Sequence, residues 1–426
     1  MRKLLCGSTA LVAAAVVAQQ AEAASGLKLG IAGYYRGAMG VTFGDTGNTV
    51  FPSSEGGGLY GRNNVAFRQE IRVNFTGATT LDNGITVDVL VGLEAAATST
   101  SSNAPARINR AYLDIEGKFG QVRFGDADSA YVSLCVGDPG NVTANFGLNS
   151  PNETFSNAGH AKGTSNLYTY MPTSLSGAGT CFGLETRSTK IVYFSPTFGG
   201  FNFAVSFAPD AVRSAGGSGG NGGTFGVGNP LSTGAGFHDY LSAGINFNHD
   251  FGGGVTLYAG VSGDWALAGE TTNTANAGGL GDKPSMYQAG FQLGFGGGWS
   301  VGASGQYVNN YLGAGYLNPT GLFGTALASP GDDAYMVTAG GSYRMDALAI
   351  GLQGLYDHFA TSNPGFGGGS HVTYAGVSLN GAYTLGPGIS LEGQVAWTES
   401  DTNYPGLPAL SNLNEYEIDV GTAINF

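Results

Sequence analysis

The sequence predicts an all-β protein that folds into a transmembrane antiparallel β-barrel. Apolar and polar residues alternate through most of the chain, which is the period of a strand with one apolar face. Short and long connections follow one another in strict turn between these segments. Only 11% of the residues are charged, against roughly 25% in ordinary domains. Strands that cross a bilayer must pair all their backbone groups, so such a sheet must close on itself.

The N-terminus has the pattern of a secretory signal peptide at residues 1–23. Met1-Arg2-Lys3 is basic, Leu4 to Ala18 is mostly apolar, and Ala21-Glu22-Ala23 offers small residues for cleavage. The apolar stretch is too short for a spanning helix, which needs about 20 residues. We therefore expect an exported protein whose residues 24–426 form one barrel domain.

Sixteen segments of the expected mature chain alternate in this way. The segment from Val65 to Phe75, for example, places apolar side chains on one face and Arg68, Glu70 and Arg72 on the other. A helix would mix the two sets, whereas a strand separates them. The predicted strands cover residues 26–43, 62–77, 85–96, 107–116, 121–125, 187–195, 200–208, 237–249, 255–265, 285–295, 299–308, 334–344, 348–358, 371–384, 389–398 and 414–426.

The order of the connections indicates the kind of barrel. An even number of strands with short turns at one end and long loops at the other is typical of the bacterial outer membrane. We therefore expect short periplasmic turns, such as 117–120 and 385–388, and long outer loops. A soluble β-sandwich or a β-solenoid is the alternative. A sandwich would need a charged outer face and a solenoid a fixed repeat length, and the sequence has neither.

Charged residues of the first five strands fall on the face opposite the apolar one. The basic candidates for the pore wall are Arg36, Arg68, Arg72, Arg110 and Arg123. A barrel of sixteen strands is wide enough for an aqueous channel, in which such charges stay hydrated. We therefore expect a water-filled lumen. A salt-bridge network that fills a plugged barrel is the alternative.

The connection at residues 126–186 is far longer than its neighbours, and we call it the third loop. Loops longer than about 15 residues are usually functional or disordered. This one also contains both cysteines of the expected mature chain, which could form a disulfide in an oxidising compartment. Two free buried thiols are the alternative. The acidic candidates and the cysteines of the third loop are Asp126, Asp128, Asp138, Glu153, Cys135 and Cys181.

The last predicted strand, EYEIDVGTAINF, ends on Phe426. Its even positions are mainly apolar and its odd positions are acidic or small. We expect lipid to cover the apolar face and the acidic face to point into the barrel. This strand would then pair with the first strand and close the sheet.

Nearly the whole mature chain resembles the general diffusion porins of Gram-negative bacteria, of the alphaproteobacterial type. The resemblance rests on GQVRFGDADSAY (120–131), KIVYFSPTFGGFNFAVSFAP (190–209) and the terminal strand ending in Phe426. It implies a homotrimer in which each barrel has its own pore, with the third loop folded into the lumen as a constriction. Acidic residues of that loop would face basic residues of the wall, and Asp126 and Asp128 match the start of the loop. It also implies that the barrel assembly machinery reads Phe426.

Passive diffusion of ions and small hydrophilic solutes is the function that this sequence predicts. A substrate-selective channel is the first alternative and a structural barrel or adhesin the second. The predicted interior is mixed in sign and mostly small, which favours unselective passage. The surroundings would be the lipid bilayer and lipopolysaccharide of the outer membrane.

Other classes of function have little support. No nucleophile motif accompanies the five histidines, so we do not expect an enzyme; they are His160, His238, His249, His358 and His371. The net charge of −13 argues against nucleic acid as a partner. We expect no cofactor or metal, although GDAD (125–128) and GDD (331–333) could offer oxygen ligands to Ca²⁺.

Overall fold

We analysed a computed structural model of the chain. The structure describes residues 26–44, 65–95, 107–148, 180–181, 183–185, 188–209, 237–269, 283–309, 333–361, 370–403 and 413–426. The signal peptide at residues 1–23 lies outside these ranges, so that assignment and the boundary of the domain at residue 24 stay predictions.

The described residues form sixteen β-strands and one short helix. The helix, α1, spans Ala130–Leu134. The strands are β1 (Lys28–Gly44), β2 (Val65–Thr80), β3 (Thr86–Ala95), β4 (Arg107–Gly117), β5 (Gly120–Asp126), β6 (Thr189–Phe194), β7 (Phe201–Ala208), β8 (Phe237–Gly252), β9 (Val255–Gly269), β10 (Ser285–Phe295), β11 (Trp299–Asn309), β12 (Ala334–Met345), β13 (Leu348–Thr361), β14 (Ser370–Gly386), β15 (Ile389–Asn403) and β16 (Leu413–Asn425).

These strands confirm the predicted fold class. Each strand pairs antiparallel with its neighbours in sequence, and β1 pairs with β16, so the barrel is closed. The predicted boundaries differ from the observed ones by at most five residues, at the end of β15. The prediction missed α1 and placed Asp126 in the third loop, whereas Asp126 is the last residue of β5.

Backbone hydrogen bonds complete the closure at the end of the chain. The Gly33 N–H donates to the Phe426 carbonyl at 2.8 Å, and the Phe426 N–H donates to the Gly33 carbonyl at 3.0 Å. Neither β1 nor β16 is therefore left as a free edge over this stretch. A free edge would expose unpaired backbone N–H and C=O groups to hydrocarbon, which is energetically costly.

The outer face of the barrel is apolar, as the alternation predicts. Leu29 is 81% exposed, Phe67 is 75% exposed and Val420 is 52% exposed. Aromatic side chains on the outer face occur near the ends of the strands, where Trp299 stacks on Tyr343 with ring centroids 4.5 Å apart. Aromatic rings at this depth are typical of membrane barrels, whose girdles lie at the lipid headgroups.

The inner face is not uniformly polar. A buried apolar cluster lies on β10 to β14 and encloses Tyr131 and Leu148 of the third loop; its wall members are Met286, Val308, Ala334, Met336, Leu355 and Tyr374. The predicted interior contained polar and small residues, so this cluster was not foreseen. It means that the third loop packs against the wall with an apolar core of its own. Among the described residues, no helix is long and apolar enough to span a membrane.

Candidate pore constriction

The third loop leaves β5 and turns into the barrel through α1. The Ser129 hydroxyl caps this helix by accepting from the Val132 N–H. The next two backbone N–H groups are held by the wall: Ala130 donates to Ser206 Oγ on β7 at 2.9 Å, and Tyr131 donates to Ser242 Oγ on β8 at 2.6 Å. The first turn of the loop is therefore fixed to the inner face of the barrel.

Beyond α1, the loop follows the inner wall from β10 to β14. Side-chain amides of the wall bind its carbonyl groups: Gln288 Nε2 donates to Val136 O at 2.8 Å, Gln292 Nε2 to Gly137 O at 2.9 Å, and Asn380 Nδ2 to Gly140 O at 3.0 Å. Asn380 Oδ1 in turn accepts from the Val142 N–H at 2.9 Å. These bonds satisfy backbone groups that would otherwise be buried without partners.

The last described part of this path reaches β15 and β16. Glu392 Oε2 accepts from the backbone N–H groups of Ala144 and Asn145, at 3.0 and 2.9 Å. Asn145 Nδ2 donates to the Thr422 carbonyl on β16 at 3.1 Å. The Leu148 N–H returns to β13, where it donates to Gln353 Oε1 at 2.7 Å. The described loop residues thus lie along most of the barrel's inner circumference.

The two ends of the third loop are joined beside α1. Cys135 and Cys181 form a disulfide with their Cα atoms 5.5 Å apart, which confirms the predicted bond. Lys190 Nζ on β6 lies 2.7 Å from Glu185 Oε2, and both side chains are fully or almost fully buried. Burial raises the pKa of Glu185 above its ordinary value, and the Lys190 ammonium acts in the opposite direction.

The predicted acidic residues have different surroundings. Asp128 pairs with Arg110 on β4, with Asp128 Oδ2 2.5 Å from Arg110 Nη2. Asp126 is buried and accepts from Thr189 Oγ1 at 2.5 Å. Asp138 lies against β13, where its carboxylate accepts from Gln353 Nε2 at 2.9 and 3.1 Å. Glu153 lies outside the described residues.

Four of the predicted arginines lie on the inner face of the early strands, and three of these four pair with acids of the wall. The side chain of Arg68 lies outside what the structure describes. The pairs are Arg36 with Glu70 at 3.7 Å, Arg72 with Glu70 at 3.5 Å and Glu94 at 3.6 Å, and Arg123 with Asp114 at 2.8 Å. The ion pair of Asp128 with Arg110 therefore joins an acid of the third loop to an arginine of the wall.

Aromatic rings support this basic group. The Tyr34 ring lies under two guanidinium groups, with Arg36 Cζ 4.3 Å and Arg72 Cζ 5.2 Å from its centroid. The Tyr34 hydroxyl donates to Glu70. Tyr34 therefore faces the lumen together with the arginines. The alternation could have indicated this, because Tyr34 shares its side of β1 with Lys28 and Arg36.

Among the described residues, no group of three or more His, Cys, Asp and Glu side chains is placed to hold a metal ion. Asp126 and Asp128 of the GDAD segment are engaged by Thr189 and Arg110 instead. Of the GDD segment, residues 331–332 lie outside the described residues.

Solved structures with this fold come from several bacteria. The outer membrane channel DcaP of Acinetobacter baumannii superposes with a TM-score of 0.57 at 14% identity, over 94% of this chain and 98% of that one. The anion-selective porin from Comamonas acidovorans gives 0.53 at 12% identity, over 94% and 100%. The loop L8 deletion mutant of OmpT of Vibrio cholerae gives 0.53 at 11% identity, over 94% and 99%. These likenesses show the fold.

The sequence itself supplies the family. No curated protein matches this chain at a significant level. The profile of the Gram-negative porins, however, matches residues 7–403, which is most of the chain. The closed sixteen-stranded barrel is the architecture expected of that family. The chain therefore belongs to the Gram-negative porin family and is an outer-membrane channel for passive diffusion.

Proposed function

We propose that ions and small hydrophilic solutes diffuse through one water-filled lumen whose constriction lies between the third loop and the inner wall of β1 to β4. The observation that carries this proposal is the path of the third loop inside the closed barrel, together with its contact at Asp128 and Arg110. Arg36, Arg72 and Arg110 keep 23%, 13% and 16% of their side chains exposed. Exposed guanidinium groups on an inner face are compatible with water beside them.

The charges would act on passing solutes through their local field. Opposed charges across a narrow hydrated gap orient water and dipolar solutes. Because Arg36 and Arg72 pair with Glu70, and Arg72 also pairs with Glu94, their positive charge is largely compensated. The acidic excess of the chain, −13 overall, then favours a mild cation preference that weakens as salt screens it.

Charge neutralisation tests whether these residues line the constriction. We expect Arg72→Gln with Arg110→Gln to raise the cation preference, measured as the reversal potential of single channels under a KCl gradient. Asp128→Asn should lower it. Lys118→Gln is the matched control, because Lys118 is exposed in the turn between β4 and β5. Unchanged reversal potentials in folded channels of normal conductance would place these residues away from the constriction.

A substrate-selective channel is the second candidate. The hydrogen bonds that hold the third loop to the wall at Val136 and Leu148 favour it, because they fix the path of the loop, and a site of defined shape needs fixed walls. The two candidates differ in kinetics. Diffusion through an open pore gives solute flux that rises in proportion to concentration, whereas a binding site gives saturation in liposome flux measurements.

The setting of the channel follows from its surface and its predicted targeting. Residues 1–23 would direct export, the short turns would face the periplasm, and lipopolysaccharide would border the long loops. The highly exposed apolar side chains of β1 and β2, such as Leu29 and Phe67, suit the contact between copies in a homotrimer. The barrel assembly machinery would read Phe426. Chemical cross-linking in native membranes tests the trimer, and a protein that yields only monomers would contradict it.

A further inference from the structure

A line of glycines lies on the inner wall beneath the third loop. Gly260 pairs with Gly290 across β9 and β10, and Gly302 pairs with Gly340 across β11 and β12. Glycine weakens a strand, because it is flexible and has no side chain to pack. Two such cross-strand pairs on one face therefore call for an explanation. Glycine in a strand often marks a place where another backbone approaches the sheet closely.

The distances give that reason. A Cβ atom added at Gly290 would lie 1.9 Å from the Val136 carbonyl oxygen, and one at Gly351 would lie 2.1 Å from the Gly140 carbonyl oxygen. A Cβ at Gly340 would lie 2.6 Å from Asp138 Oδ1. Ordinary van der Waals contact begins near 3.4 Å, so no larger residue fits while the loop keeps its place.

Backbone conformation does not explain these glycines. Gly260, Gly290 and Gly351 are absent from the described glycines with positive φ, so an L-residue could adopt their backbone angles. What glycine supplies here is space. The two closest loop carbonyls are also bound by neighbouring amides, since Gln288 donates to Val136 O and Asn380 donates to Gly140 O.

We propose that Gly290 and Gly351 are positioning residues that set how far the third loop extends into the pore, and so set the pore's cross-section. This rests on the proposed function, in which the third loop forms the constriction. Each glycine lets a loop carbonyl lie against the sheet, and each adjacent amide holds the carbonyl there.

Alanine substitutions test the proposal directly. Gly290→Ala and Gly351→Ala should push the loop away from the wall, which lowers single-channel conductance and lowers the upper size limit for sugars in liposome swelling. Two controls are matched by strand. Gly294→Ala lies on the inner face of β10 but meets the Thr256 hydroxyl rather than the loop, and Gly354→Ala on β13 meets only atoms 3.9 Å away. Both controls should keep the wild-type conductance and size limit.

Folding of each variant is judged by heat-modifiable migration in electrophoresis. If Gly290→Ala or Gly351→Ala does not fold, a second pair of variants tests the proposal. A Cβ at Gly260 would lie 2.8 Å from Val136 Cγ2 and 3.1 Å from the Leu134 carbonyl oxygen, which is a milder conflict with the loop than the one at Gly290. Gly260→Ala should therefore fold and lose conductance, and adding Val136→Ala should restore much of it. Val136→Ala alone should stay close to wild type.

The outcomes separate the two proposals. Wild-type conductance and size limit in folded Gly290→Ala and Gly351→Ala channels would overturn the role of these glycines, while the channel itself would stand. If those variants do not fold, the test is the double variant of Gly260→Ala and Val136→Ala. A conductance that shows no rescue, so that the effects of the two substitutions simply add, would overturn the proposal. If the third loop is not the constriction, the charge variants will leave the reversal potential unchanged. Gly290→Ala and Gly351→Ala will then move the loop in their crystal structures without changing the conductance.

Discussion

At the scale of single residues, the buried pair of Lys190 and Glu185 makes a prediction for stability. Lys190 is fully buried, bonds Glu185 and also donates to the Ala127 carbonyl. Removing one partner of a buried ion pair leaves the other charge without compensation. We expect Lys190→Met to lower the free energy of unfolding by about 3–5 kcal/mol, measured by urea denaturation in detergent micelles.

A double variant separates the loss of the pair from the loss of packing. Glu185→Gln keeps an acceptor for the Ser188 hydroxyl and removes the charge. Lys190→Met combined with Glu185→Gln should therefore recover much of the stability lost in Lys190→Met. Equal losses in the single and double variants would mean that packing, rather than the unpaired charge, determines the effect.

At the scale of elements, the third loop is held by its disulfide at one end of its path and by wall side chains along the rest. The bond between Cys135 and Cys181 spans a sequence separation of 46 residues. Closing a loop of this length reduces the entropy of the unfolded chain by an amount equivalent to about 4 kcal/mol. Hydrogen bonds from the wall also hold the loop at Val136 and Gly140.

We therefore expect Cys135→Ser with Cys181→Ser to free the base of the loop while the barrel stays closed. Cleavage of the third loop by added protease should become faster, and the heat-modifiable barrel should persist. In the wild-type protein, alkylation after denaturation without reductant should label neither Cys135 nor Cys181. Uptake of label at both positions would contradict the bond.

At the scale of the whole molecule, the closed sheet depends on the pairing of β1 with β16. Phe426 contributes two backbone hydrogen bonds to Gly33. Each such bond contributes a net 0.5–1.5 kcal/mol, so deletion of Phe426 should lower barrel stability by about 1–3 kcal/mol. The measurement is the midpoint of thermal unfolding of protein refolded in detergent.

Phe426→Ala distinguishes barrel closure from assembly in the cell, because it keeps the backbone and removes the ring. We expect it to refold in detergent nearly as well as the wild type but to insert poorly in cells. Normal insertion in cells would contradict the proposed role of Phe426 as the residue that the assembly machinery reads.

An aqueous lumen also makes a prediction for the whole channel. Single-channel conductance in planar bilayers should rise nearly in proportion to KCl concentration, because the ions move through water. Early saturation would point instead to a binding site in the pore and would favour the substrate-selective alternative.

The sequence by itself determined the strands, the closure and the family. Alternation with a period of two is a local property, and lipid outside with water inside imposes it on every strand. The run from Val65 to Phe75 therefore predicts its own faces without knowledge of its neighbours. The disulfide was also within reach, because the third loop holds both cysteines of the expected mature chain.

Only the tertiary structure decided where the third loop lies and which charges meet. The Leu148 N–H donates a hydrogen bond to Gln353, which is 205 residues away in sequence. The Asn145 N–H donates to Glu392, which is 247 residues away. No local pattern marks such partners, because amides and glycines are common on any inner strand face. Arg36, Arg72 and Arg123 pair with wall acids, and these partners, Glu70, Glu94 and Asp114, follow from the register between strands. Alternation specifies a face, whereas contacts across the lumen depend on the height and position of every strand around the closed barrel.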